Sequence, residues 1–392
     1  MKFNTQSNSV KINVHHSFLL TLSLGISCLF LTLRPAVAVT YLFLTQSNAD
    51  KVSAVSLSGS NYTVTDILSA DGPNRIAMGP DATRAYVTNA NEGTVSVIDT
   101  ANLRELSPRI TVAQSPGELA VSPDGQRVYV VHQTNGMLYA INTNDGSIAF
   151  MTDLDGTQCK DVLVSIAPYA DSYIYVANFS TGYVNIVDSS GNRVADIPTA
   201  GGTGGPRRLA ITPDGQYVLA TDNSSNMVTI ISTSDNSLYT EVVVGNNPRG
   251  IAITPDGAQT FVTNIGDRTV SVIDNNNNFT VLLNPIPVGT SPWQIVIAPN
   301  QNYACVSNSG SNSVTVISTG DDPHFVTEFT IGPGPFQSVM GPNGHSLYVA
   351  NSRSGLDGPG TVSVINLDSL QVMPAITGLG SKPFDLVFNV AQ

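Results

Sequence analysis

An all-β fold, and within it a β-propeller, is what this sequence predicts, on three observations. The chain repeats one unit eight times, and the aligned aromatic or apolar position falls at Phe43, Tyr86, Tyr129, Tyr175, Leu219, Phe261, Cys305 and Tyr348. Successive steps of 42 to 46 residues are the period at which four-stranded units stack radially as blades. Alternating apolar positions such as Val95 and Val97, or Ile251 and Ile253, have the period of two expected of half-buried strands. No stretch of the repeats carries a sustained apolar pattern at helical spacing.

The elements of one unit follow in order. A Pro opens a short apolar run, the expected first strand. A Pro-Asp-Gly-like turn comes next, as at Ser122–Gly125 and Thr254–Gly257, with Pro and Gly at the positions a tight turn favours. Tyr-Val-Thr-Asn or a variant makes the second strand. A small polar loop such as residues 90–93 leads into Val-Ser-Val-Ile-Asp, the third strand, and a fourth closes the unit. Pro-led starts occur at Pro73, Pro116, Pro206, Pro248, Pro292, Pro335 and Pro383, with Cys159 standing in the same place in one unit. Eight blades are therefore expected, and seven if the unit at Cys159 fails to form.

The two ends complement each other. The first unit begins at Tyr41 with its second strand, whereas Pro383–Val390 is a first strand with nothing after it. The C-terminal segment is thus expected to complete the N-terminal blade, which pairs an edge that would otherwise invite aggregation.

These elements resemble the YVTN-type β-propeller repeat family of secreted and cell-surface proteins, over essentially residues 41–392. Propellers related to that family include lactonases, haem d1 carriers and non-enzymatic binding proteins, so the resemblance implies a fold and leaves activity open. A WD40 propeller is disfavoured by the single Trp and the lack of repeated Trp-Asp.

Residues 1–38 read differently. Lys2, Lys11, His15 and His16 precede an apolar run from Phe18 to Leu33, and Ala36-Val37-Ala38 offers small residues for a signal peptidase. The expectation is a cleaved export signal over 1–38 and a single propeller domain over 39–392, placed in the periplasm, at the cell surface or outside the cell, with no integral membrane segment left. The alternative is an uncleaved membrane anchor, for which a run of about 16 apolar residues is short, and a lipid-anchored Cys28 is weaker still, since Gly25 sits where such a signal wants Leu. Without Lys2, Lys11 and Arg34, 14 basic residues face 29 acidic ones, a net charge of −15. That balance repels nucleic acid. No disulfide is expected between Cys159 and Cys305, which fall at non-equivalent positions three units apart.

No catalytic or metal motif emerges, neither a covalent-haem Cys-x-x-Cys-His, nor a zinc His pair, a nucleophile elbow or a phosphate loop, and no cofactor is expected. Asp81, Asp124, Asp214 and Asp256 recur in the Pro-Asp turns, and Asp99, Asp188 and Asp274 recur at the ends of third strands. Recurrence at one blade position is what turn and strand-end caps produce. The Asn of Tyr-Val-Thr-Asn is likewise expected to tie its loop to the third strand.

Function is expected where the repeats disagree. In propellers of this type the Pro-led strand is innermost, so the two residues after each Pro should lie near the channel mouth. Arg75, Lys160, Arg207, Arg208 and Arg249 fall at those positions, as do Trp293, Phe336 and Phe384. A basic arc facing an aromatic arc could hold an anionic small molecule with an apolar or ring-shaped body, or a protein partner. The competing reading is a solvated arginine set beside an aromatic plug. His132 replaces the repeat's Asn on the same expected face. A non-enzymatic exported binding protein is the first expectation. A lactonase-like hydrolase is the second, with Glu118, Asp161, His132 and Arg208 as its candidates. The third is a haem d1-type propeller with His132 toward iron.

Overall fold

A computed structural model describes residues 40–57, 62–165, 173–282, 284–352 and 359–390. The expected signal segment, residues 1–38, lies outside the described residues. Every regular element among the described residues is a β-strand, and no helix is long and apolar enough to cross a membrane.

The strands form eight antiparallel sheets, the blades. Blade 1 joins Tyr41–Gln46, Lys51–Ser56 and Thr63–Ser69 to the C-terminal strand Pro383–Phe388. Leu42, Phe43 and Leu44 pair with Phe388, Val387 and Leu386, and the Asn389 carboxamide accepts the Tyr41 N–H at 2.6 Å. The expected closure is in place. Blades 2 to 8 start at Pro73, Pro116, Cys159, Pro206, Pro248, Pro292 and Pro335. The Cys159 unit forms a full blade, so the count is eight rather than seven. Blade 6 departs in one respect: its outer strand is split into Thr280–Val281 and Ile286–Pro287, both paired with Thr269–Asp274.

Eight hydrophobic clusters fill the eight interfaces between neighbouring blades, as where Leu42, Leu44 and Val55 of blade 1 meet Tyr348, Val362 and Val364 of blade 8. This corrects the expectation of half-buried strands. The second and third strands are buried on both faces, because each blade is covered on either side. The alternation in their sequence separates large apolar groups from small polar ones that are also buried, such as Thr88 and Ser96.

Most of those buried groups are hydrogen-bonded internally, although the carboxamide oxygens of Asn89, Asn264, Asn308 and Asn351 are buried without a partner. The Asn89 amide donates to Thr94 and Ser96 of the third strand, and Asn264, Asn308 and Asn351 repeat the pattern. The preceding Thr links blades. Thr88 Oγ1 accepts the Arg75 N–H of its own inner strand and donates to the Gly117 carbonyl of the next at 3.0 Å. Thr221 does the same between Arg208 and Arg249. The turn aspartates cap their own turns, Asp124 accepting from Ser122 and Gln126 and Asp256 from Thr254 and Ala258. Asp99, Asp188 and Asp274 cap strand ends.

Candidate functional site

The Pro-led strands are innermost and contact one another around the whole axis. Near the end where each strand begins, Arg75, Glu118, Gln133, Lys160, Arg207, Arg208 and Arg249 line a cavity of about 150 Å³. All five basic residues expected at the funnel therefore meet in one place.

They occupy two tiers, set by their distance from the Pro. The second residue after each Pro builds a waist. There Glu118 Oε1 pairs with Arg75 Nη2 at 2.9 Å and accepts from Arg208 Nη1 at 2.7 Å, and Asp161 Oδ1 lies 3.7 Å from Arg208 Nη1. Burial pushes the Glu118 carboxyl up, but the two guanidinia outweigh it and hold the group below its ordinary range. Burial raises Asp161 to about 6, against the pull of Arg208, and raises Asp385 as well, against Arg75. These two carboxylates also join blades: Asp161 accepts the Leu209 N–H at 2.9 Å and Asp385 the Ile76 N–H at 3.1 Å. Gln294 meets the Ser338 N–H in the same way.

The residue just after the Pro builds the mouth. Lys160, Arg207 and Arg249 come from blades 4, 5 and 6, and none of them has a carboxylate within ion-pair distance among the described residues. Burial, then the charges of Arg207, Arg208 and Arg75, pushes the Arg249 guanidinium well below its ordinary range. Burial and Arg208 lower Arg207, and burial, Arg207 and Arg249 lower Lys160. The cause is an excess of positive charge in a sheltered place.

Aromatic rings complete the circle. Trp293 and Phe336 lie 4.8 Å apart at their centroids, as do Phe336 and Phe384. The Arg249 guanidinium stands 3.1 Å over the Trp293 ring and that of Arg75 stands 4.7 Å over Phe384, so the aromatic arc meets a cation at both ends. Gly250 permits the close approach of blade 7: a Cβ there would stand 3.0 Å from the Trp293 carbonyl oxygen and from Thr263 Oγ1. Arg207 Nε and Trp293 Nε1 are buried without a hydrogen-bond partner, as are Arg75 Nε and Nη1.

Sequence reasoning missed Phe179, which lies under Arg207 at 4.6 Å and Lys160 at 5.3 Å. The signal was present, since Phe179 is the one aromatic residue at the position after the second strand in the eight units. His132 stands apart from the cavity. It is fully buried at the end of the second strand of blade 3, with its ring 5.0 Å from that of Tyr139. Tyr139 takes the place that Ser96 holds in blade 2, so an aromatic pair replaces the amide–hydroxyl link. Neither imidazole nitrogen finds a well-formed hydrogen bond, and burial lowers the His132 pKa, with the Gln114 backbone opposing in part. Among the described residues, no group of three or more His, Cys, Asp or Glu is arranged to hold a metal ion, and Cys159 and Cys305 are free thiols, both buried.

Comparison with known proteins sets this arrangement in context. The family model described as lactonase, 7-bladed beta-propeller, matches residues 94–369, from the third strand of blade 2 to just beyond the third strand of blade 8. No curated protein matches the chain. Among solved structures, dihydro-haem d1 dehydrogenase NirN in complex with DHE gives a TM-score of 0.68 at 18% identity, covering 90% of this chain and 75% of that one. Kuenenia stuttgartiensis hydrazine synthase gives 0.60 at 19% identity, over 78% of this chain and 98% of that one. A functionally unknown protein from Desulfotomaculum acetoxidans gives 0.61 at 16%, over 89% and 98%. These structural likenesses establish the fold alone. The chain belongs to the lactonase β-propeller family, whose description names seven blades, and closes its own ring with eight.

Proposed function

We propose that this protein is an exported binding protein that holds a small anion with an apolar or ring-shaped body over the mouth of the axis. The observation that carries the reading is the mouth tier: Lys160, Arg207 and Arg249 converge with no carboxylate partner among the described residues, beside a shingled row of three aromatic rings. Crowded, sheltered cations gain from an anion that offsets their repulsion, and charge-assisted hydrogen bonds from Arg are the strong kind. The nearby carboxylates are engaged elsewhere, Glu118 by two arginines and Asp161 and Asp385 by backbone N–H groups. Glu118 is the one carboxylate among the lining residues of the mouth cavity, and its engagement by two arginines favours binding over hydrolysis there.

Lactone hydrolysis is the second reading, and family membership favours it. In it Arg207 or Arg208 would steady the oxyanion of an opening lactone and Asp161, whose pKa lies near 6, would receive the proton from water. The position of His132 gives no support to a role as iron ligand over the axis, because its ring is enclosed within blade 3.

Thermal-shift measurements with inorganic phosphate, citrate and benzoate at constant ionic strength test the first reading, with benzamide as the uncharged control. Stabilisation by at least one anion, absent with benzamide and lost in Arg207→Ala, is the expected result. Turnover of simple γ- and δ-lactones that falls in Asp161→Asn would establish the second reading instead.

A further inference from the structure

The axis holds a second cavity below the waist, at the end where the Pro-Asp-Gly turns lie. It measures about 420 Å³ and its walls include Met78, Ala120, Val121, Leu163, Val164 and Ile211. It shares no lining residue with the mouth cavity. The ion pairs of Arg208 with Glu118 and Asp161 stand at the level between the two.

Two of the wall residues, Ala120 and Leu163, belong to a second regularity of the inner strands. The fourth residue after each Pro, or after Cys159, reads Ala77, Ala120, Leu163, Ala210, Ala252, Val296, Val339 and Val387. All eight are apolar and all eight are half-exposed. Seven of them, Ala210 apart, also pack against the clusters between blades, so each serves the blade core with one side and leaves the other toward the axis. The space opens around blades 2 to 5, which supply its lining residues.

One carboxyl group faces this apolar space, that of Asp161. Its Oδ1 accepts the Val162 N–H at 3.0 Å and faces Arg208 Nη1 at 3.7 Å, whereas its Oδ2 accepts the Leu209 N–H at 2.9 Å and keeps a lone pair for a further donor. We infer that the lower chamber is a ligand site of its own, taking an uncharged molecule of two or three apolar rings with one N–H or O–H donor directed at Asp161. The volume lies within the range of small-molecule pockets, which pair apolar walls with a few placed polar groups. A negative charge on the ligand is disfavoured by the apolar walls and by the Asp161 carboxyl.

N-phenyl-1-naphthylamine, uncharged at neutral pH and carrying a single N–H, is a suitable fluorescent probe. Titrated into the full chain, it should bind saturably with one site per chain. Ala120→Phe fills the chamber and should weaken binding by about tenfold or more, since the dye then has little apolar area left to bury. Val121→Phe tests the same wall from the adjacent residue should Ala120→Phe fail to fold, and circular dichroism with a melting curve identifies which variant is native. Absence of saturable binding to the wild type overturns the inference. So does undiminished binding in a folded filling variant, which would place the dye on exposed outer-strand residues such as Met151 and Val243.

Discussion

At the scale of single residues, charge placement separates scaffold from site. Asp161 is the clearest case, because it joins blade 4 to blade 5, faces Arg208 and borders the lower chamber. Its pKa is raised on folding to about 6, so folding favours the protonated form. The stability tied to this group is fully present below the unfolded value of about 4 and is lost as pH rises through about 6. Asp161→Asn keeps an oxygen for the Leu209 N–H and removes the titration. The variant should therefore be more stable than the wild type at pH 7.5, by on the order of 2 kcal/mol, with the difference shrinking toward pH 4.5. Urea unfolding at the two pH values measures this, and a difference that does not change with pH contradicts it. The pairing of Glu118 with arginines from blades 2 and 5 was not legible in the sequence, because those partners lie 43 and 90 residues away and only ring closure brings them together.

At the scale of elements, much was legible. Eight repetitions of one strand–turn–strand pattern average out local departures such as Cys159 for Pro, so the strands, the turn caps and the role of Asn89 and its equivalents could be read from the chain. The threonine between blades was not, since hydrogen bonds to the next blade leave no periodic trace beyond the Thr itself. Val131, Ala177 and Ala350 hold the same position in blades 3, 4 and 8, which makes the link useful but not obligatory. Thr88→Val preserves shape while leaving the Arg75 N–H and the Gly117 carbonyl without their partner. It should cost about 1 to 3 kcal/mol, read from chemical denaturation, and a variant as stable as the wild type would show that the link contributes nothing. His132 is the element-level exception. The replacement of Asn by His looked like a functional departure, yet it is compensated locally by Tyr139 in place of a serine.

At the scale of the whole molecule, the ring is closed by the C-terminal strand Pro383–Phe388. Removing residues 383–392 strips the inner strand from blade 1, uncovers the Tyr41–Gln46 edge and deletes Asp385 with its bond to the Ile76 N–H. The melting temperature should fall by about 10 °C or more, since a loss of several kcal/mol moves a domain of this size that far. An unchanged, cooperative transition would contradict the closure. The same ring sets the site. Eight inner strands converge, so residues that are scattered in sequence become neighbours, and a chain with formal net charge −12 gathers five cations around one cavity. Trp293, the single Trp of the chain, stands in that circle against Arg249, and its fluorescence reports on the mouth without any label. The measurement that tests the central claim most directly is a titration of Trp293 fluorescence with benzoate and, in parallel, with benzamide. A saturable change with benzoate, absent with benzamide and weakened about tenfold or more in Arg249→Ala or Arg207→Ala, is the result predicted. An equal response to benzamide, or a benzoate response that survives both substitutions, would contradict anion binding at the mouth.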